Sequence, residues 1–212
     1  MVEGEVRLLS KPADLSGEAT LLPTLGRGAF PIQWSADEKY LLFTRRPGGQ
    51  GDIWYRKRKD DNSGYEDVPF LKEPFQEFTP QFSPDGRFVS YSSNESGQHE
   101  VYVRRFPDGS AKQQVSLNGG TQPRWSHNEK ELFYVEGDWL VVIPVSTSPS
   151  FSMGSARRLF RAAAISAAGV MPTYDVSPDG ERFVIAEPVE DAPLPSIRVV
   201  QNWAAELKDR EE

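Results

Sequence analysis

The sequence predicts an all-β protein, a β-propeller of about four blades forming a small or partial ring. Three observations carry that prediction. The first is a phrase at 79–106, TPQFSPDGRFVSYSSNESGQHEVYVRRF, in which three short strand patterns are joined by two tight turns. The second is its recurrence around Ser35, Ser83, Ser126 and Ser177, at spacings of 48, 43 and 51 residues. The residue before each serine is Trp34, Phe82, Trp125 or Val176, and two after it stands Asp37, Asp85, Asn128 or Asp179. Six after come Leu41, Val89, Leu132 and Phe183, and eight after come Phe43, Tyr91, Tyr134 and Ile185. A self-similar period of roughly 40–50 residues, with about four strands in each, is the signature of propeller blades. The third is runs of consecutive apolar residues within strands, Leu41-Leu42-Phe43 and Leu132-Phe133-Tyr134-Val135. A strand with one wet face alternates instead, so these strands are buried on both faces, as radially stacked sheets would be.

The elements follow in order. Segments 5–10 and 19–25 read as strands, the last two of a repeat whose first half is absent, with a loop at 12–17. The first complete repeat, near 30–71, turns through Ala36-Asp37-Glu38-Lys39 without Pro or Gly, then through a loop at 46–51. Its third strand holds Ile53, Trp54 and Tyr55, and 68–71 is an outer strand where Pro69 is tolerated at an edge. The second repeat, near 79–117, has the Ser83-Pro84-Asp85-Gly86 turn, where Pro pre-sets φ and Gly tolerates φ > 0. Strands at 87–92, 100–106 and 112–117 complete it, with β-formers such as Phe88, Val89, Val101 and Tyr102. The third, near 122–160, turns at 127–129, then tightly at 136–138 into a strand at 139–145, with an outer strand at 157–160. Segment 162–168 is small and apolar, one helical turn or a crossing loop. The fourth, near 173–200, has Ser177-Pro178-Asp179-Gly180, a strand at 182–186 and another at 197–200, and no fourth strand. Segment 19–25 could supply it and close the ring; otherwise the ends are open edges through which copies of the chain can associate. The repeat region thus occupies 1–203, and 204–212 is a polar tail rich in helix formers.

Composition narrows the functional classes. Net charge is −7, which argues against nucleic acid or an anionic membrane as the partner. There are no cysteines, which removes disulfides, thiolate catalysis and cysteine zinc sites. The first residues show no apolar leader pattern, and no apolar run approaches the roughly 20 residues that span a bilayer. Periplasm and cytoplasm both remain open as compartments.

The repeats resemble the WD40-like β-propeller repeats of the TolB family, whose core reads close to P-x-F-S-P-D-G-x-x-x-x-F. Pro80-Gln81-Phe82-Ser83-Pro84-Asp85-Gly86 with Tyr91 matches it nearly in full, and Ser177-Pro178-Asp179-Gly180 with Ile185 matches the turn. The Ser35 and Ser126 repeats keep the aromatic and the Asp or Asn, and lack Pro and Gly. The ending, Ile197-Arg198-Val199-Val200-Gln201-Asn202-Trp203 with Ala205-Glu206-Leu207, resembles the C-terminal end of large bacterial proteins. In many of these a TolB-like propeller follows a serine/threonine kinase domain. The chain itself carries no kinase motif, and no G-x-S-x-G of the peptidases that related propellers cap. The resemblance implies a non-catalytic binding module, with a kinase-linked sensor or scaffold fragment and a peptidase or hydrolase propeller as alternatives.

Candidate residues fall into four groups. Asp37, Asp85, Asn128 and Asp179 repeat at one turn position in separate blades, which suits backbone bonding in each turn rather than a shared metal. Neither His99 nor His127 has the flanking residues of a catalytic triad. Gln33, Gln81, Arg124 and Asp175 stand two before the aligned serines, on first strands expected to line the channel, and form the best ligand-site constellation. Arg45, Arg46, His99 and the loops at 94–99 and 118–121 are expected to gather on one propeller face, where recognition usually lives. The expectation is a protein or peptide partner, or a small ligand, at that face or in the channel, with no cofactor and no metal.

Overall fold

The computed structural model describes residues 8–11, 14, 16–26, 28–46, 50–61, 63–161, 172–177 and 180–185. Every regular element among them is a strand. A leading hairpin pairs β1 (Leu8–Ser10) with β2 (Thr20–Leu22). Blade 1 is an antiparallel sheet of β3 (Ala29–Trp34), β4 (Tyr40–Arg45), β5 (Asp52–Arg58) and β6 (Tyr65–Leu71), paired in chain order. Blade 2 repeats the order with β7 (Glu77–Phe82), β8 (Phe88–Ser93), β9 (Glu100–Arg105) and a short β10 (Gln113–Gln114). Blade 3 holds β11 (Thr121–Trp125), β12 (Glu131–Glu136) and β13 (Trp139–Ser146). Two pieces, β14 (Ser152–Met153) and β15 (Arg157–Arg161), share the outer edge of β13. β16 (Tyr174–Val176) and β17 (Phe183–Ile185) begin a fourth sheet.

The double burial read from the apolar runs is what stacks the blades. Leu42 and Phe43 are both fully buried but face opposite ways, because side chains alternate along a strand. Leu42 packs with Phe82, Val89 and Tyr91 of blade 2, whereas Phe43 packs with Leu25 and Ala29 on the other side. In blade 3, Leu132 and Tyr134 join Val101 and Val103 of blade 2, while Phe133 and Val135 join Tyr174 and Val176. Blades 1, 2 and 3 therefore each share one apolar layer with the segment before and another with the sheet after.

The recurring serine is the latch of each turn. Ser83 Oγ donates to Asp85 Oδ1 (2.6 Å) and accepts from the Phe88 amide (3.0 Å), and Asp85 accepts from the Arg87 amide (3.1 Å). Ser35 with Asp37 and Ser126 with Asn128 make the same set. Hydrogen bonding from Ser35, with Lys39 beside it, holds the Asp37 carboxyl down to about 2. Turns without glycine keep this geometry: Glu38 (φ 57°) and Glu129 (φ 64°) adopt the left-handed conformation that Gly86 (φ 70°) adopts in blade 2. At Ser177, Oγ accepts from the Arg182 amide (3.0 Å), and Pro178 and Asp179 lie outside the described residues. So do segments 162–168 and 186–212, with the strand expected at 197–200 and the polar tail.

The leading segment is strapped to blade 1 rather than paired with β17 among the described residues. Arg56 donates from Nη1 to the Pro23 carbonyl and from Nη2 to that of Thr24 (3.1 Å), while its Nε reaches Asp67 at 2.7 Å. Leu25 is buried against Ala29 and Phe43.

Candidate functional site

The first strands β3, β7 and β11 come together at the middle of the stack. Each of the three is irregular at the same place: its register shifts between Pro31 and Gln33, between Phe78 and Gln81, and between Thr121 and Arg124. Such bulges re-aim side chains. Thr79 (φ 49°) and Gln122 (φ 55°) take the left-handed conformation there, a strained choice for residues with a Cβ.

A cavity of about 390 Å³ opens between these bulges. Phe30, Pro31, Ile32, Phe78 and Pro172 form its apolar walls, with Thr44, Arg46, Thr79, Gln81 and Arg124 as its polar groups. The Arg46 guanidinium carbon lies 4.6 Å from the centre of the Phe78 ring and 5.9 Å from that of Phe30. Arg46 Nε and Thr79 Oγ1 are both closed to solvent and have no hydrogen-bond partner among the described residues. A buried donor left unpaired costs about 1–3 kcal/mol, so native structures seldom keep one without reason.

Of the residues singled out from sequence, Gln81, Arg124 and Arg46 meet in this cavity, and the other four lie elsewhere. Gln33 turns toward blade 2, where its Oε1 accepts from the Phe82 amide (2.9 Å). Asp175 is exposed and approaches Arg124 only to 3.8 Å. Arg45 faces away from Arg46: its guanidinium stacks over Trp54 (4.4 Å) and donates to the Leu25 carbonyl (2.8 Å) and to Asp67 (3.2 Å). His99 is half-buried with its ring 5.9 Å from that of Phe78, and burial holds its pKa below the usual histidine value. Its carbonyl accepts from the Gly120 amide (2.8 Å), so the loops at 94–99 and 118–121 do meet. The axial cavity also uses Phe30, Phe78, Thr79 and Pro172, which the sequence reading left out.

Glu77 starts β7 beside the cavity wall, 2% exposed, with Oε2 unpaired among the described residues. Burial, aided by the carboxylates of Glu73, Asp52 and Glu95, pushes its pKa up to about 8. The folded protein holds this proton up to about pH 8, whereas the unfolded chain releases it near 4.5. Stability contributed by this group is therefore present below about 4.5 and is lost as pH rises through about 8. Glu77→Gln is expected to match the parent near pH 5 and to be more stable by roughly 1–3 kcal/mol at pH 9. Urea titrations across that range check this, and a constant difference between the two proteins would contradict it.

Among the described residues no group of His, Asp and Glu is placed to hold a metal ion. No helix among them is long and apolar enough to cross a membrane.

No family model matches the chain, and no curated protein matches it. Solved structures do. A putative TolB from Agrobacterium tumefaciens aligns with a TM-score of 0.53 at 21% identity, over 69% of this chain and 54% of that one. TolB from Acinetobacter baumannii aligns at 0.49 and 16% identity, over 68% of this chain and 35% of that one. A putative 6-phosphogluconolactonase from Bacteroides uniformis aligns at 0.49 and 16%, over 84% and 56%. This chain thus spans about half of the Agrobacterium structure. The resemblance of the ending to kinase-linked proteins rests on residues 197–207, outside those described. Blades paired in chain order and stacked face to face, together with the Agrobacterium likeness, give this chain a TolB-like β-propeller fold.

Proposed function

We propose that the chain is a non-catalytic binding module, and that its site is the axial cavity, which takes a small ligand or the end of a peptide. The observation that carries this is the convergence of Arg46, Thr79, Gln81 and Arg124 on one apolar-walled cavity, with Arg46 Nε and Thr79 Oγ1 buried and unpartnered among the described residues. A few convergent polar groups in a mostly apolar concavity are what ligand sites are made of, and about 390 Å³ is within their usual size. The described lining offers guanidinium, amide and hydroxyl groups, which suit holding a ligand.

The test is a fragment screen by two-dimensional NMR on the whole chain. Hits are expected to shift the amides of Phe78, Thr79 and Gln81. Ile32 lines the cavity and is 37% exposed, so Ile32→Trp fills the space at little cost in stability. That variant is expected to weaken the hits more than tenfold with an unchanged melting temperature. Hits that shift only the 94–97 loop, or that survive Ile32→Trp, would overturn the reading.

A further inference from the structure

We infer that the axial cavity selects a carboxylate carried on an apolar body, either the C-terminal end of a peptide or a free organic acid. This rests on the binding reading above and narrows it. Among the described lining residues the charges are positive: Arg46 and Arg124 contribute cations and none contributes an anion. Asp175 does not neutralise them, because its side chain is 73% exposed and stands 3.8 Å from Arg124 Nε, where water screens the pair.

The unpaired groups demand an acceptor. Arg46 Nε is a donor only and has no acceptor among the described residues, and the Arg46 side chain belongs to the cavity lining. The rings of Phe78 and Phe30 lie 4.6 and 5.9 Å from its guanidinium carbon, and its backbone amide is tied to the Gly28 carbonyl (3.0 Å). A planar carboxylate meets such a fixed guanidinium with two parallel hydrogen bonds, which a neutral amide oxygen cannot match. Thr79, 6% exposed and held at φ 49°, offers its hydroxyl from the neighbouring bulge. The apolar walls then take the body of the ligand, which an inorganic anion lacks.

The experiment is a titration of the ¹⁵N-labelled whole chain, reading the Arg46 Nε–H resonance and the Thr79 amide. The probes are 3-phenylpropionate and 3-phenylpropionamide, then N-acetyl-Gly-Phe as acid and as amide, with inorganic phosphate as the bare anion. Each acid is expected to move both resonances and to bind about tenfold or more tightly than its amide. Arg46→Gln is expected to erase that preference, and Arg46→Lys to restore it in part. Tighter binding of the dipeptide acid assigns the source to a peptide end, and tighter binding of the phenyl acid to a free acid. Should Arg46→Gln fail to fold, Arg124→Gln and the acid–amide comparison on the parent still decide.

Acid and amide binding equally in the cavity would overturn the carboxylate inference and leave the binding reading standing. Phosphate binding as tightly as the acids would likewise overturn it. Failure of every probe to move the cavity resonances would overturn it regardless of what the fragment screen finds.

Discussion

Phe106→Ala is expected to cost about 3–5 kcal/mol, lowering the melting temperature by roughly 10 °C. Phe106 is the aromatic hub between blades 1 and 2. Its ring centre lies 5.0 Å from those of Tyr40, Tyr55 and Phe82, and 5.6 Å from that of Phe70. Removing it takes a well-packed ring from a layer that both sheets share and leaves a cavity whose walls belong to rigid strands. Such walls relax little, which is why the cavity cost adds to the lost transfer free energy. Urea denaturation of the two proteins checks the figure. Phe106→Leu, which keeps most of the apolar volume, is expected to recover more than half of the loss. A loss below about 1 kcal/mol for alanine would mean that blades 1 and 2 are not packed through this ring.

Gly120→Ala is expected to cost about 3 kcal/mol, through a side chain it displaces rather than through its own conformation. A Cβ at Gly120 would stand 2.1 Å from Ser116 Oγ and 2.7 Å from Ser116 Cβ, so Ser116 has to move. Ser116 Oγ accepts from the Val101 amide (2.7 Å) and donates to Glu100 Oε2. Glu100 is 1% exposed, and its other oxygen accepts from the Gly119 amide (2.9 Å) and from Gln98 Nε2 (2.7 Å). A buried carboxylate stripped of a partner is among the costlier single-residue events. Gly154→Ala is the control: its nearest neighbours would be Pro144 atoms at 3.6 Å, an ordinary contact. It is expected to change stability by less than about 0.5 kcal/mol in the same denaturation series.

The blades were legible in the sequence because their turns are built by side chains that sequence displays. Ser and Asp, or Ser and Asn, two residues apart make the same hydrogen bonds in blades 1, 2 and 3. Pro and Gly sharpen the signal without being required, since Glu38 and Glu129 accept the left-handed position. The inter-blade layers were legible from Leu41-Leu42-Phe43, whose unbroken apolar run has no meaning for a sheet with a wet face.

The lining of the candidate cavity was legible only in part, and the bulge is one reason. A strand read at period two sends every residue two before the serine to one face. The extra residue in β3, β7 and β11 breaks that phase, so Phe78 and Gln81, three apart, line the same cavity; the break is the same in all three strands and does not account for Gln33, which turns to the neighbouring blade. The same break explains why Thr79 was missed. Phe30, Phe78 and Pro172 stand five before the aligned serines, an offset as regular as the one two before, and all three line the cavity. Arg45 and Arg46 are both expected from the sequence on the loop face, but Arg45 ends β4. Consecutive side chains at the end of a strand point to opposite faces, which sends Arg45 to Trp54 and Asp67, and Arg46 to the axis.

The measurement that bears most directly on the axial cavity as a binding site is a crystal structure of the chain soaked with a cocktail of apolar-bodied acids. The account predicts density for a bound acid between Phe30, Phe78 and Arg124, with a carboxylate within hydrogen-bond distance of Arg46 Nε. An empty cavity, with bound molecules only on the outer loops, would contradict it.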